Sequence, residues 1–103
     1  MGKYCLMVIS SPIAGKDIEY NLWYKDHLKD VSRIPGIVSA QRLRMPENEA
    51  LFSGKYVALY QVETDDPDRF MKDLASRAGT PEMVMSDALD LDNTWHALCP
   101  VIE

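Results

Sequence analysis

A chain of 103 residues that is 47% hydrophobic and 26% charged has the make-up of one globular domain, residues 1–103, with a modest core, and this excludes a disordered polymer. Its formal charge of −5 argues against a nucleic-acid partner, because phosphate backbones are held by clustered cations. The longest apolar run near the start, Tyr4 to Ile9, is too short for a signal-peptide core or a membrane span, so a cytoplasmic protein with no membrane partner is expected.

Tyr4 to Ile9 is apolar throughout and stops at Ser10-Ser11-Pro12, which reads as a strand buried on both faces. From Asp17 to Ile34 the period becomes helical. Tyr20, Trp23, Tyr24, His27, Leu28, Val31 and Ile34 fall within one stripe at about 100° per residue, and Asn21, Lys25, Lys29 and Asp30 fall outside it. Pro35-Gly36 ends this helix, since the residue before proline avoids the helical region and glycine accepts the turn. Ile37 to Met45 reads as a second strand, Pro46 to Ser53 as an acidic loop, and Tyr56 to Val62 as a third strand. Asp66-Pro67 starts a second helix, with aspartate as N-cap and proline at the first helical position. Phe70, Leu74 and Ala78 give that helix its buried side, and Gly79 stops it. Thr80-Pro81-Glu82 repeats the start signal and predicts a short third helix to about Leu89, before a last strand from Trp95 to Ile102.

The main order is β-α-β-β-α-β, the split βαβ arrangement of ferredoxin-like α+β folds. Right-handed crossovers put both helices on one face of a four-stranded antiparallel sheet. The opposite face has no cover from its own chain. Yet in the first strand both alternating sets, Tyr4/Leu6/Val8 and Cys5/Met7/Ile9, are apolar, where a half-solvated sheet would alternate apolar with polar residues. Several hundred Å² of bare apolar sheet is unusual for a monomer, so a homodimer packed sheet against sheet is expected. Cys5 and Cys99 sit in apolar strands without CxxC or Cys/His clustering, which suits buried thiols rather than zinc or a disulfide framework.

The segment richest in chemical groups is Glu19 to Leu28. His27 lies on the buried stripe one turn after Trp23 and Tyr24. A partly buried neutral imidazole is a general base; the alternative is a core histidine bonded to backbone or tyrosine. Tyr24 offers a phenol to orient a ligand or the imidazole, and Tyr20 and Trp23 offer aromatic walls. Arg42 and Arg44 share a face of the second strand. Arg42 either stabilises developing negative charge or supplies the cation that protects an edge strand. Tyr60 in the third strand, His96 in the fourth, and Ser86-Asp87 are further candidates to line a pocket between helix and sheet. The six methionines suit adaptable packing. Phosphate-loop, HExxH, GxSxG and EF-hand patterns are absent from the sequence, so neither a metal nor a cofactor is expected.

Asn21-x-Trp23-Tyr24-x-x-His27-Leu28, then Pro35-Gly36-Ile37-Val38-Ser39-Ala40-Gln41-Arg42, then Tyr56 to Glu63, resembles the EthD-like group of dimeric α/β-barrel proteins, as do Met85 to Leu89 and the closing strand at Trp95. The likeness spans essentially the whole chain. It implies a ferredoxin-like protomer whose sheet pairs with a second copy into a barrel, within a superfamily of cyclases, dehydratases, decarboxylases, cofactor-independent oxygenases, isomerases and members without demonstrated catalysis. His27 matches the histidine of the group's pattern, and Arg42 the arginine after the Pro-Gly turn. The function expected on these grounds is a cofactor-independent acid/base transformation, of lyase, dehydratase or isomerase type, of a hydrophobic, oxygenated, aromatic or polyketide-like small molecule. His27, Tyr24 and Arg42 would be catalytic, and Tyr20, Trp23, Tyr60, His96, Ser86 and Asp87 would contact the substrate. The alternatives are a non-catalytic binding or accessory protein of an oxidative catabolic pathway and a cofactor-independent oxygenase.

Overall fold

The computed structural model describes residues 1–49 and 53–103, so residues 50–52 of the expected acidic loop lie outside the described residues. The elements are β1 (Gly2–Ser10), α1 (Asp17–Ser32), β2 (Ile37–Arg44), β3 (Tyr56–Thr64), α2 (Pro67–Arg77) and β4 (Trp95–Pro100), with a 3-10 turn at Leu91–Asn93 before β4. The four strands form one antiparallel sheet in the order β2-β3-β1-β4. This is the ferredoxin-like topology. It places the two strands that are apolar on both faces, β1 and β3, in the middle.

The register sorts side chains by face. Leu6 lies opposite Tyr60 and Leu98, and Val8 opposite Ala58 and His96. Of these, Leu6, Ala58 and Tyr60, with Val8 and Leu98 packed against them, join Tyr20, Tyr24 and Val31 of α1 and Phe70 of α2 in one core cluster, while His96 on the same face stays exposed. Because strand side chains alternate, Cys5, Met7 and Ile9 point the other way together with Leu59, Ala97 and Cys99. Cys5 and Cys99 are directly opposed across β1 and β4, and both are free thiols. The backbone amide of Val101 donates to the Lys3 carbonyl at 2.9 Å. Pro100 therefore falls at an alternate position of the edge strand, where a missing N–H leaves no ladder bond unmade.

Helix α1 buries Tyr20, Tyr24 and Val31, four and seven residues apart, as the stripe requires. It stops at Ser32, two residues short of the expected end, and Ile34 is buried just beyond it. The chain then reverses at Gly36, whose φ is +108 and whose missing Cβ leaves room for the Glu63 carbonyl. A side chain there would face both a disfavoured backbone and a 3.0 Å contact with that oxygen. Asp66 caps α2 as expected, its Oδ1 accepting from the Arg69 amide at 3.0 Å, with Pro67 following. Phe70 is buried, but Ala78 is exposed.

The predicted third helix does not form. Residues 80–89 run in turns, and their backbone groups bond outward: Gly79 N to Met83 O, Ile13 N to Ala88 O, and Pro12 bridging Leu89. Thr80, the expected N-cap, accepts from the Glu82 amide at 3.2 Å and donates to the Arg77 carbonyl at 2.6 Å, but the turn it starts is not continued. The buried residues of the segment are Met83, Ala88 and Leu89, a spacing of five that no single helical face supplies. The last strand is also shorter than expected, ending at Pro100, with Ile102 fully out in solvent. None of the described helices is long and apolar enough to cross a membrane.

Candidate functional site

Between the sheet and the helices lies a cavity of about 210 Å³. Leu6, Val8, Ser10 and Tyr60 form its floor, Trp23, Tyr24, His27 and Val31 of α1 one wall, and Met71, Leu74, Ala75 and Ala78 around α2 the other. The 80–89 segment crosses one side with Met83, Met85 and Leu89, and Thr94 and His96 complete it from β4 and the residue before it. Since an apolar cavity of about 150 Å³ admits benzene, this one has room for one or two rings. None of its lining residues is Asp, Glu, Lys or Arg.

His27 is the group around which the wall is organised. Its ring stacks on Trp23, 4.4 Å between centroids and 26° between planes, and meets Tyr24 edge-on at 5.1 Å. Its Nδ1 is buried and has no hydrogen-bond partner. Burial lowers its pKa from 6.5 to about 4, against the smaller opposing effect of the Asp30 carboxylate. The imidazole is therefore neutral at physiological pH. Trp23 in turn donates its Nε1–H to the Val84 carbonyl at 2.7 Å, which ties the 80–89 segment to α1.

The phenols below are buried too, and burial outweighs the opposing pull of the Arg42 guanidinium nearby. The Tyr60 hydroxyl is buried without a hydrogen-bond partner, and burial pushes its pKa up to about 12. The Tyr24 phenol approaches it closely enough to offset part of that effect, without the geometry of a hydrogen bond. Burial also raises Tyr24 well above the ordinary phenol value. Both stay protonated, as donors rather than bases.

Other residues singled out in the sequence stand apart from the cavity. Tyr20 is fully buried behind it, its hydroxyl 2.6 Å from the Ser10 Oγ. Arg42 contacts the wall from outside: its guanidinium sits 4.2 Å from the Tyr24 ring centroid, and its Nη2 donates to Asn21 Oδ1 at 2.9 Å. That contact also draws Asn21, expected to be solvated, into the structure. Ser86 does not reach the cavity, because its Oγ accepts from the Ala88 amide at 3.0 Å and shapes a turn. Asp87 is exposed and outside the lining. The structure thus brings His27, Tyr24, Trp23, Tyr60 and His96 together, and leaves Tyr20, Arg42, Ser86 and Asp87 outside.

Ser10, Thr94 and the three methionines were not anticipated as lining residues. Ser10 was within reach of strand parity, since it shares a face with Leu6 and Val8. Met83 and Met85 carried no such signal, because their segment has neither helical nor strand period. Among the described residues, no three His, Cys, Asp or Glu side chains come together in a way that would hold a metal ion.

No family model matches the chain, and no curated protein matches it either, so the EthD-like resemblance has no family match behind it. Solved structures do match. A mutant of SnoaB, a cofactor-independent oxygenase from Streptomyces nogalater, superposes with a TM-score of 0.69 at 19% identity, over 100% of this chain and 96% of that one. A candidate monooxygenase from Shewanella loihica PV-4 gives 0.68 at 16% identity, over 99% and 96%. A dimeric ferredoxin-like protein of unknown function from Jannaschia sp. CCS1 gives 0.64 at 14% identity, over 97% and 100%. At such identities the likeness is one of architecture, and the chain shares the ferredoxin-like fold of all three.

Proposed function

We propose that this protein binds a hydrophobic, oxygenated molecule of one or two rings in the cavity and carries out a cofactor-independent proton transfer on it. The observation that carries this reading is His27, a neutral, partly buried imidazole with an unpartnered nitrogen, at the edge of an otherwise apolar cavity. Structural histidines in a core are bonded to a neighbour. This one is held by ring contacts alone, which leaves Nε2, the nitrogen that is not the buried one, unclaimed by the protein. Tyr24 and Tyr60 supply protonated phenols beside it. Lyase, dehydratase and isomerase chemistry needs no more than this apparatus.

The test is a panel of small aromatic ketones and phenols, followed first by thermal shift and then by proton exchange or product formation. A ligand should raise the melting temperature by mass action. His27→Ala should abolish turnover while leaving the protein folded. Full activity in that variant would remove His27 from the reaction.

A second reading is favoured by the likeness to SnoaB, a cofactor-independent oxygenase. Here an activated CH₂ loses a proton, and the resulting carbanion adds O₂ to give a hydroperoxide. Loss of water then leaves a ketone. Oxygen consumption by the purified protein with a hydroxyaromatic CH₂ compound separates this outcome from simple isomerisation.

The assembly that fits this architecture is a homodimer, with Cys5, Met7, Leu59 and Ala97 of each copy covering those of the other. The dimeric state named for the Jannaschia protein supports it.

A further inference from the structure

We propose that the two histidines at the cavity divide one proton transfer between them: His27 holds the substrate's carbonyl oxygen through its Nε2–H, and His96 removes and returns the proton at the neighbouring carbon. This deepens the function proposed above and rests on it, while reversing the role of base expected for His27.

A neutral imidazole carries one N–H and one lone pair. At His27 the Nδ1 is buried with nothing to bond to. A proton placed there would be a stranded donor, and orphaned buried N–H groups are rarer than under-used acceptors. The proton therefore rests on Nε2, the nitrogen that is not the buried one, on a ring that lines the cavity. In that tautomer Nε2 has no lone pair to accept a proton, but it has a hydrogen to give to an oxygen. Stacking on Trp23 and edge contact with Tyr24 hold the ring in place. The depressed pKa fits the same picture, since imidazolium would strand a donor at Nδ1 as well. A neutral imidazole used as an electrophile, rather than as a base, has precedent in enzyme catalysis.

The base must then come from elsewhere in the lining. No carboxylate or lysine is present there, and the phenols of Tyr24 and Tyr60 are held protonated by burial. His96 remains. It projects from the edge strand β4 opposite Val8, lines the same cavity as His27, and is exposed, so it meets both the ligand and water. In the step, His96 takes the proton from carbon. The C–H pair becomes the C=C bond of an enolate, and the carbonyl π pair moves to the oxygen held by His27. Return of the proton from His96 completes exchange or isomerisation, and no oxidant is involved. The substrate class is an uncharged ketone with an acidic α C–H, because a carboxylate in this cavity would find no cation.

The experiment follows α-hydrogen exchange of 2-tetralone in D₂O with the full chain, in wild type, His27→Gln, His27→Ala, His96→Gln and His96→Ala, each checked for cooperative unfolding. The Gln amide places an N–H where Nε2 stood but cannot act as a base. His27→Gln should keep roughly a tenth or more of the rate, and His27→Ala should lose about 100-fold or more. Both His96 variants should lose about 100-fold or more while 2-tetralone still raises their melting temperatures. Equal loss in His27→Gln and His27→Ala, with His96→Gln unimpaired, would overturn the assignment and restore His27 as the base. Nitrogen-15 NMR of the imidazoles gives an independent readout: a proton on Nε2 of His27 is expected, and one on Nδ1 overturns its role as donor. Absence of exchange in wild type with 2-tetralone bound would defeat the proposed proton transfer and His96's part in it, and the NMR result would still decide His27's.

Discussion

The Trp23 indole makes two connections at once: its ring lies 4.4 Å from that of His27, and its Nε1 donates to the Val84 carbonyl at 2.7 Å. The 80–89 segment is therefore anchored to the side chain that also orients the imidazole. Trp23→Phe keeps an aromatic face for His27 but removes the tie to Val84. Stability should fall by about 1 kcal/mol, the usual worth of one hydrogen bond, and backbone amides at Val84 and Met85 should exchange faster with solvent. Ligand affinity should weaken as Met83 and Met85 lose their fixed position. Denaturant unfolding and hydrogen exchange measure both effects, and unchanged exchange at these amides would show that the segment is held by other contacts.

Burial of His27 makes stability depend on pH in a defined window. Its pKa falls from 6.5 in the unfolded chain to about 4 in the fold, so between these values the unfolded chain binds the proton and the folded one does not. Stability therefore declines as pH drops from 6.5 toward 4, and the His27 contribution levels off below that. At about 1.4 kcal/mol per pKa unit, the loss is on the order of 3 kcal/mol. Carboxylates titrate in the same range, so the informative quantity is the difference between wild type and His27→Gln. The variant should show a flatter stability profile between pH 4 and 6.5; parallel profiles would contradict the shift.

The fold was legible because two independent periods agreed with the turn chemistry. The α1 stripe, the doubly apolar β1 and β3, and Asp66-Pro67 each specified an element whose local preference matched its tertiary place. The 80–89 segment was misread because Thr80-Pro81 is a helix-start signal only if the following amides bond four residues back in an unbroken run; here those of Glu82, Met83, Ala88 and Leu89 close separate turns on Thr80 and Ser86, and the carbonyls of Met83 and Ala88 accept from the Gly79 and Ile13 amides. The site was legible along α1, where one stripe carries Trp23, Tyr24 and His27. It was not legible for Arg42, because strand parity gives the face of a residue but not its reach. From β2 the guanidinium stops against the Tyr24 ring.

Tyr20 serves as structure, and its removal should act on stability rather than on binding. Its hydroxyl and the Ser10 Oγ share a 2.6 Å hydrogen bond between two buried residues. Tyr20→Phe leaves the Ser10 hydroxyl with one fewer partner in a dry environment, at a cost of roughly 1–2 kcal/mol. Ligand affinity should stay within about twofold of wild type. A large loss of affinity with little loss of stability would place Tyr20 in the binding machinery after all.

Arg42 should behave as a support for Tyr24 rather than as a contact for ligand. Arg42→Met keeps the apolar stem but removes the cation over the ring and the bond to Asn21. A stability loss of about 1 kcal/mol is expected, with ligand affinity little changed for uncharged compounds. Arg42→Lys should not restore the wild-type value, since an ammonium lacks the flat guanidinium that stacks on Tyr24. If acidic ligands bind wild type and lose affinity in Arg42→Met, the guanidinium faces the ligand instead.

Met7 tests the dimer at the centre of the uncovered face. It lies on a middle strand, between Leu59 of β3 and Ala97 of β4, and it is only half-buried in the single chain. Met7→Asp therefore costs the protomer little but would place an unpaired carboxylate in a sheet-to-sheet interface. Four strands about 4.8 Å apart and about eight residues long on average present roughly 500 Å² of flat sheet, less than the roughly 800 Å² per partner of a standard interface. Rim residues such as Leu43 and Trp95, both exposed, must then contribute. Sedimentation at micromolar concentration should show a dimer for wild type and a folded monomer for Met7→Asp. Leu43→Asp should weaken association less, because a rim charge keeps access to water. A wild-type chain that sediments as a stable monomer at that concentration would mean that the apolar face is tolerated in water, and the barrel assembly would have to be abandoned.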